Sequence, residues 1–142
     1  MLPISLDEAW RFFSNPRNLS EITPPALGLR IKGSFEGEIY NGMIIQYTVM
    51  PFPGIAMDWV SEIKHVKERF LFVDEQRTGP YKMWYHQHFF KAKGTGVEIT
   101  DIVHYALPGG PLAHLLNEFI IKGRLDAIFS YRKDILERKF PC

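Results

Sequence analysis

The chain has 142 residues, and its 17 lysines and arginines nearly balance its 16 aspartates and glutamates. That length suits a single domain over residues 1–142, burying roughly 70% of its unfolded surface. The balanced charge removes any general electrostatic case for nucleic acid or an anionic membrane as a partner.

Aromatic residues make up 14% of the chain, and such side chains supply either large buried area or the wall of a ligand site. The one cysteine, Cys142, leaves no internal disulfide framework and suits a reducing compartment. The opening MLPISLDEAW lacks the basic start and apolar run of a signal peptide. No apolar stretch reaches the ~20 residues a membrane span needs. A globular cytoplasmic domain is expected, with no cofactor signature.

Ser5-Leu6-Asp7-Glu8 has the spacing of a capping box, and Ala9, Trp10, Phe12 and Phe13 supply the apolar stripe of a short helix behind it. Asn15-Pro16 ends that helix and starts a second, through Leu19 and Ile22, which Thr23-Pro24-Pro25 stops. From Leu27 the period changes to alternation: Leu27, Leu29 and Ile31 predict a first strand. Met43 to Met50 predicts a second. Ile55 to His65 predicts a third, with Met57, Trp59, Ser61 and Ile63 on one side. Phe70 to Gln76 predicts a fourth whose inward face is ambiguous between Phe70/Phe72 and Leu71/Val73. Turn signals stand at Phe35 to Gly42, at Pro51-Phe52-Pro53-Gly54 and at Thr78-Gly79-Pro80. Such spacing predicts an antiparallel meander.

Gly79 to Leu107 reads as a long hairpin turning at Lys93-Gly94-Thr95-Gly96. Pairing Ala92 with Val97 places His88 opposite Asp101, His86 opposite Val103, Trp84 opposite Tyr105 and Phe90 opposite Ile99. All of these share one inward face, whereas Gln87, Lys91, Glu98, Thr100 and His104 face the other way. Ionisable groups on an apolar face need partners. Three readings stand for His86, His88 and Asp101: a structural pair of His88 with Asp101, a polar edge of a ligand cavity, or acid–base chemistry on His88. His-x-His on a strand is a weak metal motif, so no metal is assigned.

After Pro108-Gly109-Gly110-Pro111 the chain predicts a long helix. Leu112, Leu115, Leu116 and Phe119 form one apolar stripe. Leu125, Ile128, Phe129, Ile135 and Leu136 form another, rotated away from the first. Gly123 between them predicts a kink or break near Lys122-Gly123.

Two short helices, a meander and a long C-terminal helix make an α+β helix-grip pattern, a curved antiparallel sheet around that helix. LPISLDEAWRFFSNPRNLSEITPP, FVDEQRTGPYKMWYHQHFF, TDIVHYALPGGPL and RLDAIFSYRKDIL resemble segments of START-like (SRPBCC) domains of the polyketide cyclase/dehydrase and coenzyme Q-binding type, a small bacterial branch. The resemblance implies a cavity for a small hydrophobic molecule such as a lipid, quinone or polyketide. Its walls would be Trp59, Trp84 and Tyr105, its lid Leu116 and Phe119, and its polar edge His86, His88 and Asp101. A cyclase or dehydratase using His88 and Asp101, and a protein-interaction module, are the alternatives. Members of the branch usually have a strand before the first helix. Here Met1-Leu2-Pro3 stands at its end, so either the coding start lies upstream or that strand is missing. A missing strand would leave edges open and favour a homodimer or segment exchange.

Overall fold

The computed structural model of the chain describes residues 1–35 and 37–142. Helix α1, Leu6–Phe13, begins at the expected capping box. Glu8 N donates to Ser5 Oγ at 3.2 Å and Ser5 N donates to Glu8 Oε2 at 2.9 Å, so two otherwise orphaned amides are satisfied. The helix buries Ala9 and Trp10. Trp10 meets Phe72 and Phe90 edge-on, with ring centroids 5.9 and 5.4 Å away.

The second expected helix is a tight 3-10 turn, Pro16–Ser20, followed by another at Pro25–Leu27. The strand expected from Leu27 is corrected accordingly: β1 is only Arg30–Lys32. The prolines hold the preceding residues in the turn, which closes at Gly28 with φ +56°, a conformation glycine adopts without penalty. The turn expected over Phe35 to Gly42 includes position 36, which lies outside the described residues.

Strands β2 (Ile44–Phe52), β3 (Ile55–Lys67), β4 (Leu71–Thr78), β5 (Met83–Lys93) and β6 (Gly96–Ala106) come next along the chain. They form one six-stranded sheet in the order β1-β2-β3-β4-β5-β6, antiparallel throughout. The β5–β6 ladder has the register read from the hairpin, including His88 opposite Asp101 and Ala92 opposite Val97. Register shifts between Val49 and Phe52, Val60 and Ser61, and Lys64 and Lys67 bend and twist the strands that carry them. The ambiguous fourth strand turns Phe72 into the core and leaves Phe70 exposed. Alternation then puts Asp74 on the same inward face.

Before α1 the described residues make one isolated bridge to the sheet. Leu2 and Val97 exchange both backbone hydrogen bonds at 2.9 Å. Gly96 permits that approach, because a Cβ there would collide with the Leu2 carbonyl oxygen.

The C-terminal helix runs without a break through Lys122-Gly123, and the irregularity expected there as a kink or break lies just before it. Helix α2, Leu112–Leu116, passes into a π segment, Asn117–Ile121, and then into α3, Lys122–Lys139. A π segment inserts an extra residue into the turn. It rotates the residues beyond it, which accounts for the two misaligned apolar stripes without a break. The second stripe packs inward through Leu125 and Leu136, whereas Leu112, Leu115 and Phe119 of the first are exposed.

The interior divides in two. One cluster joins Leu2, Trp10, Ile45, Tyr47, Phe72, Phe90 and Leu136 among others. A second gathers Trp84, Ile121 and Leu125, with Tyr81, Tyr105, Leu116 and Ile128 packed on it. Helix α3 contributes to both.

Candidate functional site

A cavity of about 200 Å3 lies between the inner face of the sheet, α3 and the N-terminal helix and turns, which add Phe12, Leu19, Ile22 and Leu29 to its wall. The sheet supplies Ile45, Tyr47, Val49, Trp59, Ser61, Ile63 and Phe72, and α3 supplies Leu125, Ile128 and Arg132. Those three helix positions follow a 3.6-residue period, so they share one face. The wall is apolar for most of its extent, and its charged lining side chains are Asp74, His86, His88 and Arg132.

Four of the polar groups form a crossed arrangement. In register, Asp74 stands opposite His86, and His88 opposite Asp101. The hydrogen bonds run along the diagonals instead. His86 Nε2 lies 2.8 Å from Asp101 Oδ1, and His88 Nε2 lies 2.5 Å from Asp74 Oδ2. The remaining ring nitrogens approach the register partners: His86 Nδ1 is 3.4 Å from Asp74, and His88 Nδ1 is 2.9 Å from Asp101. That last contact is close enough for an ion pair but is not aligned as a hydrogen bond. The two imidazoles are close, centroids 3.7 Å apart and tilted by 36°, and His88 also stacks on Phe72 at 4.3 Å.

Burial and charge then split the titrations. His88 is only 6% exposed; burial alone would lower its pKa, but the carboxylates of Asp101 and Asp74 outweigh it and push it up to about 9. His86, 4% exposed, goes the other way, because burial and the charge on His88 together exceed the attraction of the two aspartates. Burial would raise both carboxyls, yet the histidines beside them hold Asp74 and Asp101 below the usual carboxylate range. At neutral pH the pair of histidines therefore carries one proton more than two neutral rings, held on His88.

Arg132 adds a second cation to this region. It is 8% exposed, and its guanidinium lies over the Phe129 ring, 5.1 Å from the centroid. Its Nε has no hydrogen-bond partner. Tyr47, on the same wall, has its phenol pKa raised by burial and by the charge of Asp74. Tyr81 is pushed up to about 12, chiefly by burial, and both phenols stay neutral at physiological pH. Trp59 Nε1 donates to Ser61 Oγ at 3.0 Å, so this indole keeps its polar edge satisfied against an apolar wall.

Donor atoms of Asp74, His86 and His88 lie within 4.8 Å of one another, a spacing compatible with a metal. The bonded nitrogens, however, already face Asp101 and Asp74, and a guanidinium shares the cavity wall. A cation would have to displace these bonds and accept that charge, so the arrangement reads as a self-satisfied polar network.

Of the residues picked out by sequence, Trp59, Trp84, His86 and His88 line the cavity. Asp101 lies behind them, bonded to His86. Tyr105 sits behind Trp84 and Tyr81, at 6.4 and 5.9 Å, and donates its hydroxyl to Asn117 Oδ1 at 2.5 Å. Leu116 packs into the second cluster, not onto the cavity. Phe119, inside the π segment, is 81% exposed, so the expected lid is corrected. The expected His88–Asp101 pair is present as the 2.9 Å contact, but the hydrogen bonds run from His88 to Asp74 and from His86 to Asp101. Asp74 and Arg132 were missed. Asp74 follows Phe72 by two on β4, and Arg132 stands four residues from both Ile128 and Leu136. Each is a charged residue in an apolar stripe, which was the available signal.

No protein-family model matches the chain, and no curated protein sequence matches it. Solved structures do. TTHA0849 from Thermus thermophilus superposes with a TM-score of 0.69 at 13% identity, over 97% of this chain and 93% of that one. Ara h 8.0201 gives 0.60 at 15% identity over 95% and 91%. A norcoclaurine synthase point mutant from Thalictrum, in complex with a transition-state analogue, gives 0.61 at 19% identity over 97% and 91%. These are Bet v1-like, START-like (SRPBCC) structures. The chain has the helix-grip, START-like fold. At such identities the likeness is one of architecture: a START-like sheet and long C-terminal helix, with the cavity between them. The side chains inside this START-like cavity are this chain's own.

Proposed function

We propose that this START-like protein acts as one ligand-binding domain that holds a small, mainly apolar molecule in the cavity between the sheet and α3. The observation that carries the reading is the cavity itself, about 200 Å3 with aromatic and aliphatic walls and a few convergent polar groups. That is the usual composition of a small-molecule site. A space of ~150 Å3 is enough for benzene, so the ligand would be a single aromatic ring, a short chain, or the part of a larger lipid, quinone or polyketide-like molecule that enters here. Trp59 and Trp84 would form walls, with His86 and His88 as the polar edge. Arg124 on α3 bonds the Pro51 carbonyl and lies over Phe52 at 4.7 Å, holding the helix over the β2–β3 turn.

The test uses the neutral fluorophore N-phenyl-naphthylamine. Its emission should rise on binding, and Ile128→Phe, which fills the cavity, should weaken binding about tenfold with little change in melting temperature. No binding by the parent chain, or equal binding by the filled variant, would overturn the reading.

A second reading, acid–base chemistry in the same cavity, is favoured by one observation: His86 and His88 are driven in opposite directions. Such splitting provides a proton donor beside a proton acceptor. A cyclase or dehydratase of this kind would lose turnover in His88→Ala while keeping its affinity for the neutral fluorophore. Equal loss of both would remove His88 from that role.

A further inference from the structure

The cavity carries one cation that has no carboxylate of its own, and it limits what can bind. Asp74 and Asp101 are both committed to the histidines. Arg132 projects from α3 into the same wall, buried except for 8% of its surface. Among the described residues no carboxylate lies within 4.0 Å of its guanidinium, and its buried Nε has no acceptor. The guanidinium carbon lies over the Phe129 ring, which offers no hydrogen-bond acceptor to its in-plane donors.

A buried guanidinium costs several kcal/mol in lost hydration unless a partner offsets it. Here the attraction of Asp74 and Asp101 acts only at longer range. The in-plane donors of arginine form a fork that matches two coplanar oxygens. We propose that Arg132 anchors the carboxylate of a small amphipathic acid whose apolar part fills the cavity. This rests on the cavity reading above and narrows its ligand class. A planar monoanion fits better than a phosphate. Two ionised carboxylates already lie nearby, and a second ligand charge would add repulsion without adding a cation to meet it.

Two ligands with one skeleton, phenylpropanoate and phenylpropanol, test the assignment by isothermal titration of the full chain at neutral pH. The parent chain should bind the acid about tenfold tighter than the alcohol. Arg132→Met should abolish that preference, with acid affinity falling about tenfold and alcohol affinity holding within about threefold. Arg132→Lys, which keeps the charge but loses the fork, should fall between. If Arg132→Met does not fold, the preference of the parent chain and the Arg132→Lys shift decide. An alcohol bound as tightly as the acid overturns the anchor while leaving the cavity reading intact. Phenylethylphosphonate bound tighter than the acid overturns the carboxylate assignment. Failure of acid, alcohol and neutral fluorophore alike overturns both readings together.

Discussion

His88 donates to Asp74, the register partner of its neighbour His86, while its own register partner Asp101 accepts from His86. Two histidines and two aspartates on three adjacent strands are thereby locked into one unit. Neither carboxylate can be removed without leaving a buried imidazole charge partly unmatched. Two consequences of this unit can be measured, and two of the packing elsewhere in the fold.

Asp74→Asn should lower the His88 pKa from about 9 towards the ordinary imidazole range, read from ring-carbon proton shifts in an NMR titration. It should also destabilise the protein by ~3 kcal/mol, the usual cost of breaking a buried ion pair from one side. A His88 titration unchanged by the substitution would show that Asp101 alone holds the proton.

The same pair sets a pH dependence with a definite sign. His88 is raised in the folded chain, so its contribution to stability is full below the unfolded imidazole pKa. It declines as pH rises through about 9. Asp74 and Asp101 are lowered, so their contribution is present above the unfolded carboxyl pKa and is lost as pH falls below it. His86 is lowered and opposes His88 on the acid side of neutrality. Melting temperature should therefore fall from neutral pH towards about 9, and His88→Gln should flatten that limb. A parallel decline in the variant would assign the slope to other groups.

Phe119→Ala and Trp84→Ala separate the exposed stripe of the C-terminal helix from the buried cluster that the helix forms with β5. Phe119 is exposed, so its truncation should change stability by no more than about 0.5 kcal/mol in urea unfolding. Trp84 is buried between Trp59, Tyr81 and Tyr105, and its truncation should cost ~3–5 kcal/mol. A large loss at Phe119 would mean that the stripe is covered in solution.

Gly96→Ala should break the Leu2–Val97 bridge, because the new methyl runs into the Leu2 carbonyl. A cost of ~1–3 kcal/mol is expected, with faster amide exchange at Leu2 and Val97 and little change elsewhere in β5 and β6. Unaltered protection at Leu2 would show that the terminus can shift to make room.

Much of this architecture follows from local sequence. The capping box at Ser5, the alternation in β3 and the glycine turn after Lys93 each act within a few residues, so their outcome is legible in order along the chain. The β5–β6 register followed from one turn and the period of two, and with it the shared face of His86, His88 and Asp101. What needed the tertiary structure was every relation set by packing between distant elements. The inward face of β4 depends on what α1 offers Phe72, and it decides whether Asp74 enters the site at all. The π segment shifts the phase between Phe119, which is exposed, and Arg132, which lines the cavity, a change that no pattern of apolar residues specifies. The pairing of neighbouring strands, and the common face of His86, His88 and Asp101, can be read along the chain because backbone geometry is local. Which partner each buried charge meets, and that Arg132 meets no carboxylate among the described residues, is set by packing, because side-chain contacts across the sheet and against the helix depend on where separate elements come to rest.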